Sequence, residues 1–392
     1  MKILIYTHEF PPFLGGLATT SYKLAKGIGA SAMEVVVLAP TYSSNDKAVD
    51  QSLPCKVIRV PGLGSKWVKK ITFLELLLGW IFLIKTLINE KPDTVLFITE
   101  EAEVVGGLLP FFSFNPVVRI AGSGITTCFY GKKFFKRLMS IPMKRLYDHA
   151  RMIIAVSNNT KELVQSVGIS EEKIEVIYNG VEDYMLTKEP DPKAISEVKE
   201  KYGLESNDKI LLTIARVLPR KGQDTVIKAL PIVLKEFPRL KYIIVGEGRY
   251  REKFRELAQQ NGVNESVIFT GGVKHEETIN FFDLSDIFIM PNRYWNNKVE
   301  GLPNSLIEAS ARGKPLIAGD HGGSKEAVKN NTTGLLVNPE SVENVAQAII
   351  TILKDESLAS EMGKAGRENI LKYHTEEAMI ENYISAINKA VQ

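Results

Sequence analysis

The chain has 392 residues, which is enough for two domains of ordinary size. Its hydrophobic content of 44% and charged content of 24% are typical of a soluble globular protein, and the net charge of +3 excludes nucleic-acid recognition by bulk charge. Cys55 and Cys128 are too few for a disulfide framework or, alone, a zinc site, so cysteine usage favours a reducing, cytoplasmic compartment.

The chain begins with a short apolar run, KILIY at residues 2–6, which is followed by polar residues and a pair of prolines. We expect this run to be a first β-strand and not part of a signal peptide. A loop then carries Gly15 and Gly16 directly ahead of a predicted helix near residues 17–29. A glycine pair between a strand and a helix would let this loop approach a phosphate group closely.

Short runs of Val, Ile and Leu alternate with helix-length segments along the whole chain. Such runs are typical of parallel strands that are covered on both faces, and the alternation predicts an α/β fold with parallel sheets. The predicted strands cover residues 2–6, 34–40, 94–99, 116–122, 151–157, 209–215, 241–246, 266–271, 287–291, 314–319 and 334–337.

The series of strands is interrupted over residues 183–208, where the sequence is polar, contains two prolines and lacks a strand-like run. We interpret this segment as the start of a second domain. The predicted architecture is therefore two doubly wound, Rossmann-like domains, residues 1–182 and 183–375, that face a cleft. Ligands of such sheets bind at the carboxyl ends of the strands.

Two segments of the N-terminal half bear on an acceptor. Residues 71–88 are strongly apolar, but Glu75 and Lys85 interrupt them, so we expect a packed helix between strands and not a membrane span. Residues 131–147 hold six Lys or Arg, no acid and several large apolar residues. That composition suits a helix on an anionic membrane surface, and the alternative is a solvated basic face beside the acceptor.

Basic residues and glycines follow two strands of the second half. Arg216 ends one strand, and Lys221 comes shortly afterwards, before a glycine. Such a pair can neutralise a diphosphate and stabilise its charge as it leaves, although a solvated basic turn is the alternative interpretation. The Gly-x-Gly of residues 245–249, which contains Gly246, is a weak signal alone because the full dinucleotide fingerprint is absent.

Two glutamates, Glu300 and Glu308, bracket the start of a helix that we predict over roughly 303–312. Pro303 suits the first turn of that helix, because its missing N–H would have no helical partner there. The free N–H groups from Gly301 to Leu306, together with the helix dipole, would form an anion site. A solvated helix start is the alternative.

Two carboxylates beside a phosphate would repel it, so they should face something neutral that carries hydroxyl groups. A nucleotide sugar has this pattern, since its diphosphate lies between a ribose and a second sugar. Glu308 would then accept hydrogen bonds from the ribose, and Glu300 would accept them from the sugar.

Taken together, these motifs resemble those of glycosyltransferase family four, which are retaining enzymes with two Rossmann-like domains (the GT-B fold). The resemblance covers nearly the full length. It rests on EFPPFLGG (9–16), VIYNGVE (176–182), AR…KG (215–222), VGEG (245–248), FTGGV (269–273) and EGLPNSLIE (300–308). Most of these motifs are unspecific singly, but the set is specific.

The resemblance implies roles for individual residues. Arg216 and Lys221 would bind the diphosphate, and Glu300 would contact the transferred sugar, which makes these three the candidate catalytic residues. The implied donor-binding residues are Gly15, Gly16, Gly246, Val273, Gly301, Leu302, Pro303, Asn304, Ser305, Leu306 and Glu308. Among them, Val273 and its neighbours would bracket the base. The last helix, 376–392, would cross back onto the N-terminal domain.

One position departs from the family pattern. The family commonly has a His before a Gly after the strand that corresponds to PVVRIAGSG, and that His contacts the donor sugar near its 6-hydroxyl. This chain has Ala121 before Gly122. Ser123 or Thr126 would replace the contact, or the donor differs there. Gly122 and Ser123 are therefore the candidate sugar or acceptor contacts.

The expected function is transfer of a hexose, with retention, from a nucleoside diphosphate sugar to a hydroxyl of a lipid-linked or polysaccharide acceptor. The resemblance favours UDP, with GDP next. No Asp-x-Asp motif is present, so Arg216, Lys221 and the helix start would neutralise charge without a metal. The enzyme would be cytoplasmic, or peripheral at the inner face of the membrane. An epimerase or a phosphorylase on the same fold and a catalytically inactive scaffold are the alternatives.

Overall fold

The computed structural model describes residues 1–13, 15–65, 67–68, 71–110 and 112–392; Leu14 of the glycine loop lies outside these ranges. The chain forms two compact units. The first unit comprises Met1–Asn179 and Glu376–Gln392, and the second comprises Gly180–Thr375. The chain therefore leaves the first unit near the predicted boundary, and its last helix returns to that unit.

Each unit contains one entirely parallel sheet, which confirms the predicted α/β fold with two parallel-sheet domains. The first sheet has the order β3-β2-β1-β4-β5-β6-β7 and the second β10-β9-β8-β11-β12-β13. The strands are β1 (Lys2–Tyr6), β2 (Glu34–Pro40), β3 (Lys56–Val60), β4 (Thr94–Phe97), β5 (Asn115–Ile120), β6 (Met152–Ala155), β7 (Ile174–Val176), β8 (Lys209–Ile214), β9 (Leu240–Val245), β10 (Val267–Gly271), β11 (Ile287–Met290), β12 (Leu316–Gly319) and β13 (Gly334–Val337).

Helices connect the strands. Those of the first unit before the boundary are α1 (Gly16–Gly29), α2 (Asp46–Gln51), α3 (Thr72–Glu90), α4 (Glu100–Gly107), α5 (Ser123–Cys128), α6 (Phe134–His149) and α7 (Asn158–Gln165). Those of the second unit are α8 (Asp183–Thr187), α9 (Pro192–Tyr202), α10 (Gln223–Val233), α11 (Arg251–Gln260), α12 (Thr278–Leu284), α13 (Asn304–Ala311), α14 (Ser324–Ala327), α15 (Val342–Lys354) and α16 (Glu356–Tyr373). The last helix, α17 (Glu376–Val391), packs on α1 and β5 of the first unit.

The two faces of the first sheet are covered by different helices. The crossovers from β3 to β4, from β4 to β5 and from β5 to β6 run in one direction across the sheet, whereas the crossover from β1 to β2 runs in the other. Right-handed connections therefore place α3, α4 and α6 on one face and α1 on the opposite face. The core residues agree, because Leu83, Val105 and Met143 share one cluster, and Leu24 and Ile387 share another.

The prediction that residues 71–88 form a helix packed between strands holds for only one face of α3. Its buried residues are Glu75, Gly79, Leu83 and Thr86. By length and composition α3 could cross a membrane, the only helix of the described ranges that passes this test, and 22% of its most apolar window is buried. Much of the apolar surface of α3 therefore faces outwards.

Candidate functional site

Three charged side chains meet at the carboxyl ends of β8 and β11 in the second unit. Lys221 Nζ lies 3.0 Å from Glu300 Oε1, and Arg220 Nε lies 3.0 Å from the same oxygen. The exposed fractions of these side chains are only 12% for Lys221, 10% for Arg220 and 13% for Glu300. The sequence assigns Lys221 to the diphosphate of a donor and Glu300 to its sugar. In this structure the two side chains are in direct contact.

The position of this cluster follows from the topology. The chain runs outwards from β8 through β9 to β10, and then returns to place β11 on the other side of β8. The strand order therefore reverses between β8 and β11, and open α/β sheets bind ligands at such a reversal. Lys221 follows β8 and Glu300 follows β11, so both lie at this point of the second sheet.

The charges of the cluster do not balance. Burial alone would raise the pKa of the Glu300 carboxyl, but Lys221, Arg220 and Arg216 outweigh burial and lower it. Burial lowers the pKa of Lys221, and Arg220 and Arg216 lower it further, whereas Glu300 raises it. Two cations thus contact one ionised carboxylate, and the charge of Arg216 also acts on it, which leaves a partly buried excess of positive charge that an anion would neutralise.

The turn that carries the cations is fixed against the chain that follows β11. It is a single 3₁₀ turn, Pro219–Lys221, which ends at Gly222. A Cβ atom on Gly222 would lie 2.1 Å from the carbonyl oxygen of Pro291, so only glycine permits this close approach. The backbone N–H of Arg293 also donates to the carbonyl of Arg220, at 2.9 Å.

Arg220 is the residue of the ionic cluster that the sequence interpretation missed. It directly precedes Lys221 in the same turn, and its side chain is as buried as that of Lys221. Arg216, which was predicted, is instead exposed, and its carbonyl accepts a hydrogen bond from Gln223 Nε2 at 3.1 Å. The signal in the sequence is the Arg-Lys pair before a glycine. The spacing alone does not show that the side chain of Arg220 is buried and not solvated.

The helix that follows Glu300 begins one residue later than predicted. Asn304 is its first residue, and Pro303 precedes it in an extended conformation. The N–H of Leu306 donates to the carbonyl of Pro303 at 3.2 Å, so the prediction of a free N–H at Leu306 is wrong. The first turn closes on itself with a three-residue hydrogen bond, as helix ends often do.

The remaining predicted donor residues of the second unit are placed as follows. Glu308 is buried in α13, and its charge contributes, after burial and Glu182, to a raised pKa of Tyr184. Leu302 is also buried, and the hydroxyl of Ser305 donates to Met290 Sδ at 3.8 Å. All three lie on the segment that leads away from Glu300.

Two further predicted residues flank the end of β10. Gly246 donates its N–H to the carbonyl of Gly271 at 2.8 Å, so this N–H is already occupied. Val273 is partly exposed two residues after β10. A contact between either residue and a donor remains a prediction.

A loop that the sequence interpretation did not single out supports Glu300. The N–H of Gly323 donates to the carbonyl of Glu300 at 3.0 Å. Asn292, which is fully buried, donates from Nδ2 to the carbonyl of His321 at 3.3 Å and accepts from Ser324 Oγ at 2.7 Å. The Gly-Gly pair at 322–323 after β12 was the available signal in the sequence.

We expect Gly323→Ala to distort this loop. A Cβ atom there would lie 1.5 Å from the carbonyl oxygen of Gly301, which is backbone and cannot swing aside. The loss should be several kcal/mol, on the scale of severe overpacking, and should appear as a lower melting temperature and weaker nucleotide binding. Gly272→Ala is the matched control for the melting temperature alone, because the only nearby atom is Glu247 Cγ at 3.5 Å. Equal melting temperatures for the two variants would contradict this role of Gly323.

The predicted residues of the N-terminal half lie in the first unit. Gly16 begins α1, and Gly15 precedes it in an extended conformation. Ser123 begins α5 after Gly122, and it is partly exposed. The hydroxyl of Thr126 donates to the carbonyl of Ser123 at 3.1 Å, and Thr126 is buried. A sugar contact of Ser123 or Thr126 in place of the missing His remains a prediction.

No group of three or more His, Cys, Asp or Glu side chains that could hold a metal ion occurs among the residues that the structure describes. The charged residues at the reversal of the second sheet include the three cations and Glu300. Their chemistry is neutralisation of an anion next to a carboxylate that can accept hydrogen bonds.

Comparison with known sequences agrees with this chemistry. Residues 194–369 match the family described as glycosyl transferases group 1, and residues 14–183 match glycosyltransferase family 4. The GDP-mannose-dependent alpha-(1-6)-phosphatidylinositol monomannoside mannosyltransferase of Mycobacterium tuberculosis is 31% identical over 374 residues, which cover 94% of this chain and 93% of that protein. The protein of the same name from Mycolicibacterium smegmatis is 30% identical, with 100% of both chains covered.

Solved structures share the fold at lower identity. The Anabaena protein Alr3699/HepE in complex with UDP and glucose has a TM-score of 0.81 at 20% identity, and 99% of each chain is covered. Sucrose-phosphate synthase from Thermosynechococcus elongatus has a TM-score of 0.84 at 21% identity, with 99% of this chain and 98% of that chain covered. These structures have the GT-B fold.

Proposed function

The chain belongs to glycosyltransferase family 4, and from that membership we propose that it transfers a mannosyl group from GDP-mannose to a hydroxyl of a glycolipid, with retention at the anomeric carbon. The observation that carries the proposal is the buried excess of positive charge around Glu300. Such a site suits the diphosphate of a sugar nucleotide, and the adjacent carboxylate suits hydroxyl groups of the sugar.

In the proposed reaction the bond between the anomeric carbon and the diphosphate oxygen breaks. A bond to the acceptor oxygen forms on the same face, and the acceptor proton passes to the leaving phosphate oxygen. Lys221, Arg220 and Arg216 would stabilise the charge that develops on the diphosphate. No step requires a metal, because these cations and the start of α13 would neutralise that charge.

A double displacement is the other route to retention, and it needs a carboxylate nucleophile on the opposite face. Glu300 is poorly suited to that role. Two cations lie 3.0 Å from one of its oxygens, and the cluster lowers the pKa of its carboxyl, so the carboxylate is a weak nucleophile. This electrostatic setting favours the same-face route, with Glu300 as a hydrogen-bond acceptor for the sugar.

The choice of GDP rests on the relatives and not on a base-reading side chain. The sequence resemblance favours a UDP-sugar. The mycobacterial relatives, which are 31% and 30% identical over most of the chain, carry GDP-mannose in their names. The Anabaena structure with UDP is only 20% identical, so it shows a shared fold and leaves UDP as the second candidate.

Calorimetric titration with GDP, UDP and ADP in EDTA tests the donor site. We expect GDP to bind most tightly and without a metal, since the cations of the cluster neutralise the diphosphate. Tighter binding of UDP than of GDP would make a UDP-sugar the proposed donor. Binding of none of the three would contradict the donor site and favour an inactive scaffold. Product analysis with GDP-mannose then separates a transferase from an epimerase or a phosphorylase.

We propose that the start of α6, with Lys132 and Lys133 directly before it, contacts an anionic membrane surface in which the acceptor lies. Lys132, Lys133 and Arg137 are exposed, and none has a carboxylate partner in the described part of the chain. Phe134 and Phe135 beside them are 76% and 77% exposed. Cations next to exposed aromatic side chains suit the headgroup region of a bilayer. The protein would therefore work as a peripheral enzyme on the cytoplasmic side.

A further inference from the structure

The outward face of α3 is an apolar surface of the first unit that the proposed function leaves unexplained. Phe73, Leu77, Ile81 and Ile88 are all exposed, and Phe73 is 76% exposed. Their spacing of four and seven residues places them in one row along the helix. A row of this length on a soluble surface marks an interaction site more often than chance exposure.

This row lies on the same side of the first sheet as α6. Trp80 of α3 donates from Nε1 to the carbonyl of Leu108, at 3.3 Å. Arg145 of α6 donates to the carbonyl of Gly107, at 2.8 Å, and to that of Leu109. The two helices thus hold the end of α4 from both sides, and the side chain of Leu108 between them is exposed.

We infer that α3 is a second membrane contact, and that its apolar row enters the boundary between headgroups and acyl chains while the cations of α6 bind anionic headgroups. This inference rests on the proposed membrane contact of α6. It names a lipid surface as the partner of both helices and gives each helix a separate role, apolar insertion for α3 and charge attraction for α6.

A bilayer fits this surface better than a second protein does, because the charges are complementary to lipid. Between Thr72 and Ile88 the only acid of α3 is Glu75, which is buried, with Oε1 3.4 Å from His8 Nδ1. In α6 the only acid is Asp148, which is paired with Lys144. Both outer faces therefore offer apolar groups and cations without an unpaired carboxylate, as an anionic lipid surface requires.

The inner face of α3 indicates that the helix lies on the membrane and does not cross it. Gly79 and Leu83 pack in the core of the first unit, and α3 connects β3 to β4 within one sheet. Insertion across a bilayer would remove this buried face from the sheet. Trp67, just ahead of the helix, is 66% exposed, and tryptophan at such a position favours the membrane–water interface.

The test compares binding to vesicles of phosphatidylglycerol and phosphatidylcholine. We expect the triple variant Phe73→Gln/Leu77→Gln/Ile81→Gln to bind at least about tenfold more weakly at every salt concentration, because apolar insertion is insensitive to screening. The matched control is Ile232→Gln/Leu371→Gln, which removes exposed apolar groups from the second unit and should bind as the wild type does. Unchanged GDP binding in the α3 variant would show that it is folded.

A variant of the start of α6 and the two residues before it, Lys132→Glu/Lys133→Glu/Arg137→Glu, separates the inference from the proposal on which it rests. It should lose binding mainly at low salt, by more than about fivefold per cation removed. If only this variant loses vesicle binding, the membrane contact of α6 is supported and the role of α3 is overturned. Wild-type binding by both variants would overturn the membrane contact itself. Dissociation of a dimer by the α3 variant, without an effect on vesicles, would identify the row as an interface between copies and overturn the inference.

Fluorescence gives an independent measurement of insertion. The chain has three tryptophans, and Trp80→Phe/Trp295→Phe leaves only Trp67, next to α3. We expect brominated lipids in the same vesicles to quench Trp67 when the protein binds. Binding without quenching would show that α6 alone meets the membrane, which contradicts insertion of α3.

Discussion

Lys221→Ala is expected to reduce sugar transfer by roughly 100- to 1,000-fold, the usual effect of removing one group that stabilises developing charge. Lys221, like Arg220, combines contact with Glu300, low exposure and a position at the reversal of the second sheet. In the proposed reaction it faces the diphosphate, whose negative charge increases as the sugar leaves. Its removal should also weaken GDP binding in calorimetry, since the ground state already carries most of that charge.

The fold should survive this substitution. Glu300 keeps Arg220 at 3.0 Å, so the buried carboxylate retains one partner. We therefore expect a decrease in the free energy of unfolding of only about 1 kcal/mol. The control is Lys228→Ala, which removes an exposed lysine of α10 and should change neither transfer nor binding. Near-wild-type turnover of the Lys221 variant, with the control equally active, would show that the diphosphate is bound elsewhere.

The sequence predicts the central strands of both sheets well and misses β3 and β7. Strands that are covered on both faces read as continuous apolar runs, which is why β1, β2 and β8 are found within a residue of their ends. β3 and β7 are the two edges of the first sheet. An edge strand pairs on one side only, and polar residues interrupt β3 as KVIRV and β7 as IEV, so no apolar run identifies them.

The site is predicted as separate residues but not as one cluster. Motifs place Lys221 and Glu300 beside a donor, yet 79 positions separate them along the chain, and three strands, β9, β10 and β11, intervene. Their contact depends on the pairing of β8 with β11, which no local pattern encodes. The burial of Arg220 could not be predicted for the same reason, because it comes from the packing of its turn against the chain after β11.

The direct contact between Lys221 and Glu300 has a consequence for binding. In the ligand-free protein Glu300 supplies the negative charge that a diphosphate would supply, so it competes with the donor for the two buried cations. Glu300→Gln keeps the shape and removes this competition. We expect the variant to bind GDP several-fold more tightly than the wild type at slightly acidic pH, because a neighbouring like charge is lost.

Transfer should nevertheless fall by roughly 10- to 100-fold in Glu300→Gln, since a carboxylate accepts hydrogen bonds from sugar hydroxyls about 1.5–3 kcal/mol more favourably than water does. Tighter binding with slower transfer would distinguish this role from damage to the fold, which weakens both. Glu256→Gln, on the exposed face of α11, is the matched control and should alter neither quantity.

The same variant should also shift the pH dependence of GDP binding. Burial lowers the pKa of Lys221, and Glu300 is the group that raises it. Without Glu300 the pKa of Lys221 falls further, so this lysine loses its proton at a lower pH. We therefore expect GDP affinity to decline at a lower pH in Glu300→Gln than in the wild type, which calorimetry over a pH series measures. Superimposable pH profiles would mean that the charges of Lys221 and Glu300 are not coupled, and the competition between Glu300 and the diphosphate would then have no basis.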